Sequence, residues 1–425
     1  MVVLVRDATV GWVLLTAEII RKSGCAVGLV STPLSQADAA ALDGAVHGVA
    51  IVDGAADARQ IADAALQLSR HHELGALLSL VDSAVVAAAE AAALAGVGRS
   101  PADGLARARN KYAARCAMRD AGLPTPGFGL ISDPAQAEAV AREVGLPAVV
   151  KPVNGTGSHL VVQVDTVPEL AETYHTLATR LLDAPHLRNL YARPLDGGLD
   201  PQTTFLVEGR LQGREFCLDV IVRDGQVEQL PLVDKFLIDE RFFELGFVCP
   251  PLDLEPDLAD GIAGCVDDAV LALGLDNTVA CIEVIDDELM GPTVVEVNAG
   301  RPGGQLVGLV YELCTGVSTT AELVGLARGV PAARVEPLVS VPLATFTLFP
   351  GQTGRLRAVH GLEEVAELPE VVRVVPAVSP GDLISDDFEI WAVNLLVAGL
   401  TDYQELTDFY AEASSLVRFD IEPLS

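Results

Sequence analysis

The sequence predicts an α/β protein with α+β parts, a parallel sheet at its N-terminal end giving way to antiparallel sheet. Three observations carry this expectation. Over residues 1–105 short apolar runs alternate with alanine-rich helical stretches, the rhythm of a parallel sheet. Two later helical stretches stop at glycine followed by proline, at Gly122/Pro124 and Gly145/Pro147. From Phe205 onward the pattern is that of hairpins, with Asp224-Gly225 a strong turn signal.

Taken in order, Val2–Val5, Ala26–Val30, Val49–Val52 and Ala76–Leu80 read as strands, with helices such as Ala58–His71 and Ser83–Ala95 between them. One helix is expected over Ala106–Ala121 and another over Asp133–Val144. Ala148–Lys151 and Leu160–Val164 read as strands flanking a glycine-rich turn. A helix over about 167–183 precedes an irregular segment, 185–201. Phe205–Glu208, Glu215–Arg223 and Val227–Val233 are expected strands, Asp257–Leu273 a helix, and Thr278–Ile285 with Thr293–Val297 a hairpin-like pair. Gln305–Arg328 reads as one helix ended by Gly329. The remainder carries strands at Val341–Leu348, Val371–Val375 and Ile390–Ala398 and a helix over Asp402–Ser415. Four units follow: an α/β domain over 1–105, a smaller one over 106–206, a larger sheet domain over 207–330, and a β-rich subdomain over 331–425.

A net charge of −31 and a pI near 4.4 argue against nucleic acid or an anionic membrane as partner. The nearest approach to a membrane span, Leu77–Val97, is interrupted by Asp82 and Glu90. The first residues lack a basic leader and read as a strand. Seven cysteines form no C-x-x-C pair, as in a reducing cytosol. A soluble cytoplasmic protein is expected.

Only four of the 28 basic residues are lysines: Lys22, Lys111, Lys151 and Lys235. In a chain that otherwise uses arginine, lysine is retained where a compact ammonium is needed, as against a phosphate. Lys151 immediately precedes Pro152 and the turn Asn154-Gly155-Thr156-Gly157-Ser158. Glycines there would let backbone N–H groups approach an anion. This turn joins strand to strand, and no G-x-x-x-x-G-K-[ST] exists, which excludes a Walker loop.

Glu283 and Glu296 lie in apolar strands, where a carboxylate is costly unless paired or metal-bound. Period-two alternation puts Glu296 and Asn298 on one face, and the chain reversal at Asp286–Pro292 brings Glu283 beside them. Two carboxylates and an amide oxygen form a hard oxygen set suited to Mg²⁺. Arg301, flanked by glycines, could clamp a carboxylate.

In this order the motifs resemble the ATP-grasp superfamily, most closely its L-amino acid ligase branch. The set is Asn110-Lys111, Val149-Val150-Lys151-Pro152 with the glycine-rich turn, Val207-Glu208…Gly213-Arg214-Glu215, Lys235-Phe236 with Phe243-Glu244-Leu245-Gly246, Glu283, and Glu296-Val297-Asn298. The resemblance implies the ATP-grasp fold with a mobile small lid domain. It implies ATP and Mg²⁺, usually two ions, with Mn²⁺ an alternative. Lys111 and Lys151 would contact phosphates, and Gly155, Thr156, Gly157 and Ser158 would form a loop over them. Glu208, Gly209 and Leu211 would hold adenine, Glu215 would lie near ribose, and Lys235 near nucleotide or phosphate. Glu283, Glu296 and Asn298 would bind metal, and Arg301 would bind the carboxylate substrate. Lys151, Gly157 and Ser158 would act with it at the reacting phosphate. The implied partners are a small-molecule carboxylate and amine, and a homodimer is the family-level expectation.

The chain departs from the family pattern at two points. Ala299 and Gly300 both separate Asn298 from Arg301, one residue more than usual, which a bulge at Gly300 would absorb. Phe247 stands where the family often has histidine. An ATP-grasp carboxylase or purine-pathway ligase is the rival enzyme, and a nucleotide-binding protein without turnover the rival of another class. The turn Asp7-Ala8-Thr9-Val10-Gly11 lacks the glycine pattern of a dinucleotide site.

Overall fold

The structure, a computed structural model, describes residues 1–7, 10–53, 57–182, 187–304, 306–339, 342–386 and 388–424. The described residues form four sheets. The first is parallel, in the order Gly48–Ile51, Val27–Ser31, Val2–Arg6, Ala76–Leu78. Its two central strands are buried along their whole length, as parallel strands covered by helices on both faces must be.

A second sheet, antiparallel, runs Phe128–Ile131, Phe205–Gly209, Ala148–Pro152, Val162–Val164. Helices Ala137–Val144 and Val167–Arg180 cover it, burying Val150, Leu170, Leu177 and Phe205 in one core. The glycine-rich turn thus joins two paired antiparallel strands, as expected.

The large antiparallel sheet begins with Gly291–Ala299, Thr278–Asp287, Gly213–Arg223, Val233–Ile238 and Glu244–Cys249. It continues through Leu343–Leu348, Val393–Ala398 and Val371–Pro376, so C-terminal strands extend the same sheet. Alternation decides what each face meets. Phe216, Leu218, Val220, Ile282 and Val284 pack with helix Pro256–Leu273. Cys217 and Glu283, which alternate with them, face the other way, toward the cavity described below. A small sheet of Leu383–Ile384, Gly354–His360 and Arg418–Glu422 completes the chain, and helix Tyr403–Leu416 covers Phe346 and Leu395.

Three expectations are corrected. The single helix over Ala106–Ala121 is two, Ala102–Arg109 and Lys111–Asp120. Asn110 between them is extended and its side chain accepts from the Ala113 N–H, a cap that restarts the helix. Gln305–Arg328 likewise divides into Val307–Thr315 and Thr319–Arg328, because Gly316 takes a left-handed φ of 73° and ends the first. Val227–Val233 is not one strand: Gln226–Gln229 ends before Pro231, which has no N–H for a ladder, and Val233–Ile238 begins after it. Gln305, Val341 and the boundary at 183–186 lie outside the described residues.

Candidate active site

Lys111 opens its helix because Asn110 caps it, and its own N–H donates to the Val153 carbonyl at 2.8 Å. That anchors the helix to the start of the glycine-rich turn. The Lys111 ammonium then reaches the Gly155 carbonyl at 2.7 Å and Glu296 Oε1 at 2.9 Å. Burial lowers its pKa, and Glu296 opposes that shift without cancelling it.

Lys151 sits in strand Ala148–Pro152 and pairs with Glu208 Oε2 at 2.5 Å. The other Glu208 oxygen takes Arg115 Nε. Arg115, one turn after Lys111 on the same helix face, also donates to the carbonyls of Val294 and Val295, the latter at 3.1 Å. Those carbonyls adjoin a register shift between the Glu283–Glu296 and Val284–Val294 pairs, at which Val295 is the extra residue. Burial would raise the Glu208 pKa, but Arg115 and Lys151 outweigh it and hold the carboxyl down at about 2.

Strand pairing assembles the acidic face. Glu283 lies opposite Glu296, and Cys281 opposite Asn298. On the other side Glu283 pairs with Cys217 and Ile285 with Glu215. Asn298 Nδ2 donates to Glu283 Oε1 at 3.1 Å. Lys235, buried, meets Glu215, Glu244 at 2.5 Å and Glu283 at 3.1 Å. These three carboxylates raise its pKa well above the ordinary value against the opposing effect of burial. Burial above all, with Glu296, Glu244 and Glu215 adding to it, pushes Glu283 up to about 7 despite Lys235. Burial acts the same way on Glu296, but Lys111 and Lys151 turn the balance and lower it.

Gly300 takes a φ of 84° and a Cβ there would lie 2.1 Å from Val85 Cγ2, so the extra residue is accommodated where only glycine fits. The Gly300 N–H remains bonded to the Val279 carbonyl at 2.9 Å. Arg301 consequently faces the site: Nη2 donates to Asn298 Oδ1 at 3.1 Å and Nε to Asp82 Oδ1 at 2.7 Å. Gly300→Ala is expected to destabilise the protein by about 1–3 kcal/mol through strain and overpacking. A urea midpoint unchanged from wild type would contradict this.

The glycine-rich turn is docked on three sides. Thr156 Oγ1 donates to Asp82 Oδ2 at 2.7 Å, Ser158 Oγ to the Phe242 carbonyl at 2.9 Å, and the Glu389 N–H to the Gly157 carbonyl at 3.2 Å. A Cβ at Gly157 would meet the Phe388 ring at 2.6 Å.

One cavity of about 990 Å³ gathers the residues to which the resemblance gives nucleotide, metal or substrate roles. Lys111, Lys151, Glu208 and Glu296 line it, as do Gly155, Thr156, Gly157 and Ser158. So do Gly209, Leu211, Glu215 and Lys235, and likewise Glu283, Asn298 and Arg301. Lys22 is exposed on another helix, paired with Glu18 at 2.8 Å.

Sequence reasoning missed Asp82, Arg109, Arg115 and Glu389. Asp82 was visible only as a charge breaking an apolar run. It lies 3.2 Å from Arg109 Nη1, and against burial Arg109 and Arg301 hold its carboxyl below the ordinary range. Arg109 directly precedes Asn110-Lys111 and donates to the Asn154 carbonyl at 3.1 Å. Glu389 comes from distant C-terminal sequence, and no local pattern marks it. It is buried, and its Oε1 accepts the Glu244 N–H at 2.7 Å.

The donor chemistry fits a hard divalent cation. Glu283, Glu296 and Asn298 offer only oxygen, two of them as carboxylates, and Lys111, Lys235, Arg109 and Arg301 already gather on those oxygens. A second group, Glu215, Glu244 and Glu283, has carboxylate oxygens within 4.8 Å of one another, and the Lys235 ammonium pairs with all three.

The architecture is the ATP-grasp fold, and comparison with known proteins agrees. Residues 144–308 match the ATP-grasp domain family, and residues 346–422 match L-amino acid ligase C-terminal domain 2. The chain thus carries an ATP-grasp domain and, after it, an L-amino acid ligase C-terminal domain 2. An L-amino acid ligase from Bacillus licheniformis shares the fold at TM-score 0.79 and 23% identity, over 99% of this chain and 98% of that one. N5-carboxyaminoimidazole ribonucleotide synthetase from Thermotoga maritima shares it at TM-score 0.71 and 16% identity, over 99% of each chain. An uncharacterized protein of Sinorhizobium fredii is 32% identical over 276 residues, 64% of this chain, so the match spans about half, 52%, of that relative. A D-alanine–D-alanine ligase of Laribacter hongkongensis is 28% identical over 225 residues, 50% of this chain and 67% of the relative. No helix among the described residues is long and apolar enough to cross a membrane.

Proposed function

We propose that the protein is an ATP-dependent ligase joining an amino acid, or a related carboxylate, to an amine through an acyl phosphate. The observation that carries this reading is the convergence of phosphate-type lysines, paired acidic donors and Arg301 on one cavity. Lys111 and Lys151 hold phosphates, with the turn Gly155–Ser158 lying over them. Glu208, Gly209 and Leu211 receive adenine, Glu215 lies toward the ribose, and Lys235 toward nucleotide or phosphate. Glu283, Glu296 and Asn298 hold Mg²⁺, which supplies charge neutralisation and positioning of the phosphates.

Arg301 clamps the substrate carboxylate, one of whose oxygens attacks the γ-phosphorus as the bond to ADP breaks. The amine nitrogen then attacks the acyl carbon, phosphate leaves, and the amine proton passes to phosphate or solvent. Such transfer is mostly positioning and charge stabilisation, so no side-chain nucleophile is required. Docking of the turn on Asp82, Phe242 and Glu389 fits the need to keep water from an acyl phosphate. Use of ATP fits a cytoplasmic location.

A carboxylase would use much the same cavity; the match of residues 346–422 favours the amino acid ligase reading over it. The test is ADP release by the purified protein with Mg-ATP and pooled amino acids, with mass spectrometry of the product. ADP release dependent on both a carboxylate and an amine is expected. Release with bicarbonate alone would select the carboxylase, and no release with any pool would overturn ligation.

A further inference from the structure

We propose that Trp391, carried in from the C-terminal region, closes the apolar end of the cavity and sets how large a side chain the carboxylate substrate can carry. This rests on the ligase reading above and deepens it.

The cavity has two chemically different ends. Around Lys111, Lys151, Glu208 and Glu296 it is charged. Beyond Arg301, Cys281 and Val307 flank Gly303 and Trp391 lies on Gly304, and Cys217 and Phe247 belong to the same apolar cluster as Cys281 and Val307. If Arg301 holds the substrate carboxylate, the acyl carbon lies between these ends, and the group it carries extends away from the phosphates into the apolar one. Burial of apolar surface there favours a hydrocarbon side chain over a charged one.

The depth of that end is set at Gly303-Gly304. Asp219, buried on the central strand, accepts the Gly303 N–H at 2.8 Å and fixes the backbone. A Cβ at Gly303 would lie 3.3 Å from Cys281 Sγ and 3.4 Å from Val307 Cγ1, so these walls are already close. A Cβ at Gly304 would lie 2.0 Å from Trp391 Cη2 and 2.7 Å from Cζ3. The six-membered edge of the indole therefore rests directly on the Gly304 backbone, three residues beyond Arg301.

Trp391 is held there firmly. Its carbonyl accepts from Asn394 Nδ2 at 3.0 Å, two residues before the buried strand Val393–Ala398 of the large sheet. The bland alternative is a tryptophan that only fills the core. Against it, the ring lines the cavity and seats on the backbone of the segment that carries Arg301. Here the ring's bulk is what the site uses, and short side chains are the class it admits.

The test measures kcat/KM with glycine, alanine, leucine and phenylalanine as the activated acid, one fixed amine, and fragment ions identifying the ligated acid. Wild type is expected to favour glycine or alanine. Trp391→Ala should raise the phenylalanine-to-alanine ratio tenfold or more, the scale on which apolar pockets discriminate. The KM for ATP should stay within about twofold, and Trp391→Phe should keep most of the wild-type preference. Should Trp391→Ala not fold by circular dichroism, Trp391→Leu carries the same test. An unchanged ratio, or a wild type that already prefers phenylalanine, overturns the proposal alone. A wild type that releases no carboxylate- and amine-dependent ADP overturns the ligase reading and this inference with it.

Discussion

Glu296→Gln is expected to cut carboxylate- and amine-dependent ADP release by about three orders of magnitude while the protein stays folded. The substitution keeps the shape of the side chain and removes one negative charge from the face formed with Glu283 and Asn298. Two consequences follow at once. The oxygen set loses a carboxylate of the kind that holds Mg²⁺ against phosphates. Lys111, 2.9 Å away and buried, loses its counter-charge, so its ammonium is less favoured where a phosphate is to be met. Loss of a single preorganised electrostatic contact in an enclosed site typically costs about 10²–10³ in rate, and here two such contacts weaken together. Glutamine rather than alanine is the informative change, because alanine would also leave a cavity beneath Lys111. Retained turnover in a variant with a native circular dichroism spectrum would remove Glu296 from the metal assignment.

Arg115→Met is expected to be the most destabilising change near the site, at about 3–5 kcal/mol, the usual consequence of removing one member of a buried ion pair. Arg115 and Glu208 are both almost wholly buried, and the same guanidinium ties helix Lys111–Asp120 to the Val294 and Val295 carbonyls at the bulge. Lys151 stays on Glu208, which places the effect toward the lower end of that range. The double variant Arg115→Met/Glu208→Gln should recover part of the loss, since the buried charge goes with its partner.

This pair also predicts an acid limb. The Glu208 pKa is depressed from 4.5 to about 2 in the folded protein, so its contribution to stability is present above pH 4.5. That contribution should fade as pH falls from 4.5 toward 2. Glu208→Gln should lose this part of the acid dependence. Urea midpoints of wild type and the three variants, measured at pH 7 and pH 4, test both statements. An Arg115→Met midpoint equal to wild type would contradict the first, and an undiminished acid dependence in Glu208→Gln the second.

Much of the site was legible in the sequence because its chemistry is written in rare or misplaced residues. Lysines in an arginine-rich chain, glutamates inside apolar strands and a glycine cluster after Lys151 each violate the local background, and the cavity collects them. Asp82 and Arg115 broke the background too, one in an apolar run and one a turn beyond Lys111, but each has a commonplace local explanation. Glu389 and Trp391 gave no local signal at all. Their positions depend on the large sheet continuing into Leu343–Leu348 and Val393–Ala398, a pairing between strands far apart in the chain.

The sequence alone determined the alternation of strands and helices, the hairpin that sets Glu283 against Glu296, and the donor types available for phosphate and cation. These are local properties, governed by side-chain periodicity and the chemistry of individual residues. Tertiary structure alone decided that Asp82 links the glycine-rich turn to Arg301, and that a C-terminal tryptophan seats on Gly304. Long-range packing and pairing fix those outcomes, and their energies depend on partners that no sequence window contains.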